Sequence, residues 1–426
     1  MANINNQVKK ISSELLKTCV NSSDYYKFGA EYFGPFLYGF THWLYSSVNQ
    51  KKYSKIFFLS RDGYIMKQAF DIFNTNHIEC EYVYFSRKSL RQALLNKCSD
   101  YKDSLRYLSK EHYISFGKIL EYYGIPAQSH KDISSKYAIE LETDFLFSAL
   151  ENNKDIEQVY NDLKVYIDQY SLVQESLLEK YINQIGMVGN CAIVDIGWYG
   201  SMQFYLEQFI KLKEIKATIS GYYIGIDPNR TITGEAYGYL FDRTRLKLKK
   251  QVLCFFGGYE KLFQSLEGST NGYINSNEKI DIDLAAYEYE NDPKSMNHIR
   301  DWQAGALGFV KCSVFFQNNI PDCFLLKGIK PIYSLKNQLS ITDDRLLALP
   351  LIRVGKNPTN KQLALFKFLY NMDGTKVYYL CQKPIYQYNL TEFIHAFRNS
   401  VWKTGFMKSA FKFPFPYYFI YELIKK

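Results

Sequence analysis

The chain has 426 residues, 47% of them hydrophobic and 22% charged, with 52 Lys and Arg against 43 Asp and Glu for a formal charge of +9. That size and composition suit a water-soluble protein with one large core or two to three smaller ones. No stretch reaches about 18 uninterrupted apolar residues, so no transmembrane helix is expected. The basic excess sits partly at Arg245–Lys250 and partly in the C-terminal tail. It is too diffuse for nucleic acid, and no zinc finger, RNA-binding signature or arginine run accompanies it, whereas anionic substrates or a membrane surface would fit.

The start, MANINNQVKKISSELLKT, reads as an amphipathic helix without the apolar core of a signal peptide. Residues 7–50 are expected to be helical. Residues 55–60 read as a buried strand and 63–75 as the helix behind it. Glu81–Ser86 alternates and reads as a second strand, one crossover away from the first. Residues 89–185 turn charged, Leu- and Tyr-rich and helically periodic, and are taken as a helical insertion. Asn190–Asp195 is a further buried strand, Gly197–Ser201 its terminal loop and Met202–Lys213 the next helix. Ala217–Ile226 is another strand. Beyond Pro228 the pattern weakens: short strands and loops over 229–300, an amphipathic helix near 301–318, a polar Asn-rich connection, then a helical, aromatic and basic tail over 391–426. The expected fold is α/β, a parallel Rossmann-like sheet with a large helical insertion and a C-terminal α+β region. The divisions are 1–50 (helical), 51–90 with 186–230 (core), 91–185 (insertion), 231–390 (α+β) and 391–426 (tail).

The eight cysteines, at positions 19, 80, 98, 191, 254, 312, 323 and 381, form no CxxC pair. Free thiols in a reducing cytosol are expected, which places the protein in the cytoplasm. Aromatic residues make up 17% of the chain, with 38 Tyr and 31 Phe. Sugar stacking or an interface would use them, but a compositional bias that also enriches Asn, Lys and Ile explains them more simply.

Two segments carry the chemistry: FFLSRDGYIM (57–66) and AIVDIGWYGSM (192–202). In each, a buried strand ends in an acid and a glycine and a helix follows. Ligands of parallel α/β sheets bind beyond the carboxyl ends of the strands, where a glycine admits an anion and a helix N-terminus offers free N–H groups. The first loop reads as a diphosphate cradle with Arg61 as cationic arm. The second reads as a monophosphate cradle around Gly200 and Ser201, with Asp195 placed to accept from sugar hydroxyls. Each taken alone is more often a plain turn than a site, since neither matches a Walker or dinucleotide fingerprint; it is the two together that point to a site.

The order strand-SRDGY-helix, a strand ending in Ser86-Arg87-Lys88, then strand-Asp195-loop-Gly200-Ser201 resembles a type I phosphoribosyltransferase. LSRDGYIM is similar to the diphosphate loop of adenine phosphoribosyltransferases. The resemblance implies pyrophosphate at the first loop and the basic pair, with ribose and its 5-phosphate at the acidic loop. It departs from that family in having Val194-Asp195 where two adjacent acids are usual, Gly197 where an aliphatic residue is typical, and a far longer insertion. A second resemblance spans residues 31–273. EYFGPFLYGFTHWL, FFLSRDGYIM, VDIGWYGSMQ and YEKLFQSLEGSTNGY, in that order, are similar to proteins of bacterial polysaccharide gene clusters. Those are often labelled HAD-like hydrolases, and some relatives are glycan phosphoribosyltransferases. This likeness implies that Glu260, Glu267 and Ser269 belong near the site.

A HAD phosphatase needs a strand-end Asp and a second Asp two residues on. After Asp195 that position is Gly197, and after Asp62 it is Tyr64. Histidines at 42, 77, 112, 130, 298 and 395 form no zinc spacing, and no GxSxG elbow is present. Asp343-Asp344 reads as a helix start rather than a metal pair.

The expected activity is therefore transfer of 5-phosphoribosyl from phosphoribosyl pyrophosphate to a glycan hydroxyl in capsule or O-antigen synthesis, releasing pyrophosphate. The alternatives are a non-catalytic HAD-like scaffold of the polysaccharide machinery or a HAD-like sugar-phosphate phosphatase. Asp195, Asp62, Glu260 and Glu267 are the catalytic candidates. Ser60, Arg61, Gly63, Tyr64, Arg87, Lys88, Gly197, Trp198, Tyr199, Gly200, Ser201 and Ser269 are the substrate-binding candidates. Asp62 and Asp195 would hold Mg2+. A lipid-linked acceptor and a partner phosphatase are compatible with this reading, and the tail (397–426) suits peripheral contact with the inner membrane surface.

Overall fold

The structure, a computed structural model, describes residues 2–19, 22–108, 113–229, 231–277, 279–315, 341–373 and 375–424. The chain runs through helix α1 (Gly34–Asn49), strand β1 (Lys55–Leu59), α2 (Gly63–Phe73), β2 (Cys80–Val83) and α3 (Arg87–Gln92). A two-stranded antiparallel hairpin, β3 (Tyr113–Ser115) and β4 (Asp144–Leu146), interrupts the insertion before the long α4 (Lys154–Gln184). Then come β5 (Gly189–Trp198), α5 (Ser201–Leu212), β6 (Ala217–Ile226), β7 (Ala236–Phe241), α6 (Phe256–Phe263), the antiparallel hairpin β8 (Thr270–Ser276) and β9 (Lys279–Leu284), and α7 (Pro293–Phe315).

Five strands form one sheet, in the order β2-β1-β5-β6-β7, and every pairing is parallel. Side chains alternate across a strand. Ile56, Phe58, Ala192 and Val194 therefore enter the core shared with α1, α2 and α7, while Phe57, Leu59, Cys191 and Ile193 enter the core under the insertion and α5. Burial on both faces explains why β1 and β5 read as continuous apolar runs.

The helix after β1 packs on one face of the sheet, through Ile65, Met66, Ala69 and Phe70. The helix after β5 packs on the other, through Tyr205, Leu206 and Phe209. Since β1 and β5 are neighbours, the chain leaves them in opposite directions and opens a crevice between their carboxyl ends. This is the switch point at which open α/β sheets bind ligands.

Several boundaries differ from the sequence reading. β2 ends at Val83 rather than Ser86, because Ser86 and Ser89 form a capping box that starts α3 at Arg87. β5 continues to Trp198, beyond the expected end at Asp195. The region after Pro228 supplies a fifth core strand, β7, and helix α6. α7 begins at Pro293, earlier than expected; residues 316–318 of the predicted helix, and most of the Asn-rich connection, lie outside the described residues. Asp344 lies within a 3-10 turn, Ile341–Ala348, where it is buried 3.3 Å from His42 Nδ1. The seven described cysteines are free thiols, and Cys323 lies outside the described residues. No helix among the described residues is long and apolar enough to cross a membrane.

Candidate functional site

The crevice is a cleft of about 240 Å3. Its lining comes from Ser60, Arg61 and Asp62 after β1, Phe85, Ser86 and Arg87 after β2, and Asp195, Ile196, Gly197, Trp198, Tyr199, Ser201 and Met202 around the end of β5. Glu260 and Gln264 from the end of α6, with Ser269 and Thr270 at the start of β8, close it. The two strand-loop-helix segments therefore face one cavity. A larger apolar cleft of about 890 Å3 lies elsewhere, between the N-terminal helix and residues 346–362.

The loop after β5 is shaped by unusual backbone. Gly197, Trp198 and Gly200 all have positive φ, at 101°, 68° and 68°. For tryptophan this conformation costs on the order of 1–3 kcal/mol, and it persists where surrounding structure holds it. The indole is held on both sides: its Nε1 donates to Glu260 Oε1 at 3.2 Å and its ring stacks on Phe241 at 6.2 Å. The backbone N–H groups of Ile196 and Gly197 lie beside the Asp195 carboxylate and favour its charged form. The first turn of α5 opens at Ser201 and Met202 with its N-terminus toward the cleft, so a positive dipole end faces any bound anion.

Three carboxyls share this space, and all are harder to ionise than usual. Burial is the main cause for each. Asp62 is raised well above the ordinary range by burial and then by the charges of Asp195 and Glu260. Asp195 is raised to about 6 by burial, against the pull of its two backbone N–H bonds and Arg87. Glu260 is raised by burial, against the pull of Arg87, the Trp198 indole, Lys261 and Arg61. Arg87 acts on all three, and it is exposed at the cleft. No three His, Cys, Asp or Glu side chains converge into a ready-made metal cage among the described residues.

Other expected residues take structural places. Arg61 lines the cleft, but its Nη1 pairs with Glu288 Oε2 at 2.7 Å and also reaches the Glu267 carbonyl, so its guanidinium is engaged inside the protein rather than extended as an arm. Lys261, buried, pairs with the same Glu288. Glu267 does not line the cleft; its carboxylate accepts from Tyr82 and Tyr84 hydroxyls at 2.6 and 3.3 Å. Lys88 turns away to Glu121 and Asn271. Tyr64 is exposed and packs edge-on to Tyr82. Gly63 and Gly200 are packing positions. A Cβ on Gly63 would lie 2.7 Å from the Phe58 carbonyl carbon, and one on Gly200 would lie 2.6 Å from Ile232 Cδ1.

Sequence reasoning missed Ser86, Gln264 and Thr270 in the lining of the cleft, and Glu288 behind Arg61. Ser86 Oγ donates to the Thr270 carbonyl at 2.6 Å, and Ser60 Oγ donates to the Phe85 carbonyl at 3.1 Å, so the three loop systems are tied to one another. Only Ser86 carried a local signal, its S-x-x-S cap spacing. Against models of known protein families and against curated proteins the chain has no match.

Proposed function

We propose that this chain transfers a 5-phosphoribosyl group from phosphoribosyl pyrophosphate to a hydroxyl of a glycan acceptor, releasing pyrophosphate. What carries the reading is the meeting of the loops after Leu59 and Asp195 in a single cleft at the switch point of the sheet. The sequence resemblance to glycan phosphoribosyltransferases of polysaccharide clusters supplies the substrate class.

In this reading the bond from ribose C1 to pyrophosphate breaks with its electron pair leaving on pyrophosphate. Arg87 and the N–H groups at the start of α2 and α5 stabilise the departing and retained phosphates. The ring left behind is cationic, and Asp195 lies where its carboxylate can face it. The acceptor oxygen bonds to C1 and its proton passes to a carboxylate. Asp62 and Glu260 remain as candidates to accept it, both lining the cleft and both harder to ionise than an ordinary carboxyl, which makes each a stronger base once ionised. Glu267, bound by two tyrosines away from the cleft, is set aside. Arg61 acts by holding the loop and contributing charge from a distance.

Asp62 and Asp195 suit a magnesium ion. They are hard oxygen donors whose mutual repulsion a cation would relieve, and substrate phosphates ordinarily complete such a site. When bound, the ion would neutralise charge on the pyrophosphate. A cytoplasmic location, on the side of the membrane where such a donor is available, belongs to the same proposal.

The test is incubation with labelled phosphoribosyl pyrophosphate, Mg2+ and synthetic or lipid-linked glycans. Pyrophosphate release matched by a phosphoribosylated product is expected. No product across the acceptors, together with no thermal stabilisation by the donor, would overturn the proposal. Inorganic phosphate released from phosphosugars would favour the phosphatase instead.

A further inference from the structure

The C-terminal segment has two unlike sides. Its inner side is anchored: Trp402 is fully buried, its Nε1 donates to the Gly355 carbonyl at 2.8 Å, and Tyr421 is buried in the main core. Its outer side is apolar and open. Helix Lys403–Phe411 ends at Lys412 in the left-handed conformation, φ 56°, and the chain turns through Phe413-Pro414-Phe415-Pro416 into helix Tyr417–Ile424. Phe413 is 64% exposed and Phe419 56%, with Phe411, Phe415 and Leu423 also exposed. Nothing in the fold of a domain requires five large apolar side chains in one short segment to face solvent.

Two basic groups lie in the same segment. Lys408 bonds only to the neutral Asn357 amide oxygen, at 3.3 Å, and neither it nor Lys412 pairs with a carboxylate among the described residues. The pattern is phenylalanines exposed on a Pro-interrupted turn, with two lysines in the same segment that no described carboxylate neutralises. It fits the boundary between headgroups and acyl chains of an anionic bilayer, where rings insert and ammonium groups meet phosphates.

We infer that the exposed aromatic turn around Phe411–Phe419 docks the protein on an anionic lipid surface. The docking stands on this surface alone; that it delivers a lipid-borne acceptor to the cleft rests on the function proposed above.

The experiment uses the full chain and vesicles of phosphatidylglycerol and phosphatidylcholine, against phosphatidylcholine alone, in a sedimentation assay. The wild type should pellet with the anionic vesicles and release as salt rises. Phe413→Ser/Phe415→Ser should weaken binding at least tenfold, and Lys408→Glu/Lys412→Glu should remove the preference for anionic lipid, with melting temperatures unchanged in both. Absence of pelleting, or pelleting of the Phe variant at wild-type level, overturns the inference. So does a mass in solution that halves in the Phe variant without any vesicle binding, which would make the face a contact between copies. Vesicle binding needs no donor or acceptor, so it survives or fails independently of transferase activity. With both intact, the Phe variant should turn over a soluble acceptor normally and a vesicle-embedded one at least tenfold more slowly.

Discussion

Asp195 should be a residue whose removal stabilises the protein. Its carboxyl is raised from 3.8 to about 6 in the folded chain, chiefly by burial. A raised carboxyl contributes stability that is fully present below pH 3.8 and lost as pH rises through about 6. At pH 7.5 the ionised form therefore costs about 3 kcal/mol, taking roughly 1.4 kcal/mol per pH unit. Asp195→Asn removes that cost. The pull of the Ile196 and Gly197 N–H groups is already contained in that cost, because it holds the carboxyl down to about 6. With an unfolding entropy of roughly 0.9 kcal/mol/K for a chain of this length, a gain of about 3 kcal/mol is a rise in Tm of about 3 °C. At pH 4 the cost of ionisation falls to about 0.5 kcal/mol, so most of the gain disappears. Paired urea titrations of wild type and variant at pH 7.5 and pH 4 read this change, and turnover of the proposed donor should be lost in the variant. A variant less stable than wild type at pH 7.5, or a difference that does not change with pH, would refute the electrostatic description of the cleft.

Glu288 should behave in the opposite way. Burial pushes its carboxyl up, but Lys261 and Arg61 outweigh burial and hold it at about 2, below its ordinary 4.5, so its stabilisation is present above pH 4.5 and lost as pH falls through about 2. Glu288→Gln leaves the buried Lys261 and the half-buried Arg61 without their counter-charge and should destabilise the chain by about 3 kcal/mol, constant between pH 5 and 8, as read by urea titration; a loss under 0.5 kcal/mol would show that Arg61 and Lys261 find other partners. Arg87→Ala removes the exposed cation that pulls on all three cleft acids. It should weaken pyrophosphate binding at least tenfold by calorimetry and move the Asp195 titration, followed by carboxyl NMR, above its value of about 6; unchanged binding would place the anion elsewhere.

The parts of this fold legible in the sequence are those set by local patterns. β6 runs from Ala217 to Ile226 as its apolar run dictates, and β1 and β5 were found because each is buried on both faces. β7 was missed. Its six residues include a glycine and follow a polar stretch, so its place in the sheet is decided by pairing with β6, not by its own pattern. The site divides in the same way. Asp62, Asp195 and Arg87 were legible because the carboxyl ends of parallel strands must share an edge. Glu288 lies 227 residues from Arg61 along the chain, and no spacing announces such a pair. Gly63 and Gly200 were read as room for an anion, but each makes room for the protein's own atoms. A glycine at a strand end looks the same in either case until its neighbours are known.

The electrostatics of the cleft also separate the competing chemistries. Helix N-termini alone would make acids at these strand ends easier to ionise. Asp62, Asp195 and Glu260 are harder to ionise, so burial and crowding outweigh the dipoles. A pocket serving only to bind a phosphate would have no use for three such acids, since each repels the ligand when charged. They are of use if positive charge appears among them, as a divalent cation or as a ribosyl centre losing pyrophosphate, while Arg87 and the start of α5 face the negative end. A phosphatase working through an aspartyl-phosphate lacks its second acid here. The residues two places after the strand-end aspartates are Tyr64, exposed outside the cleft, and Gly197, which has no side chain. The proposed transfer would use this arrangement, because a phosphorylated sugar parting from pyrophosphate separates charge along its length.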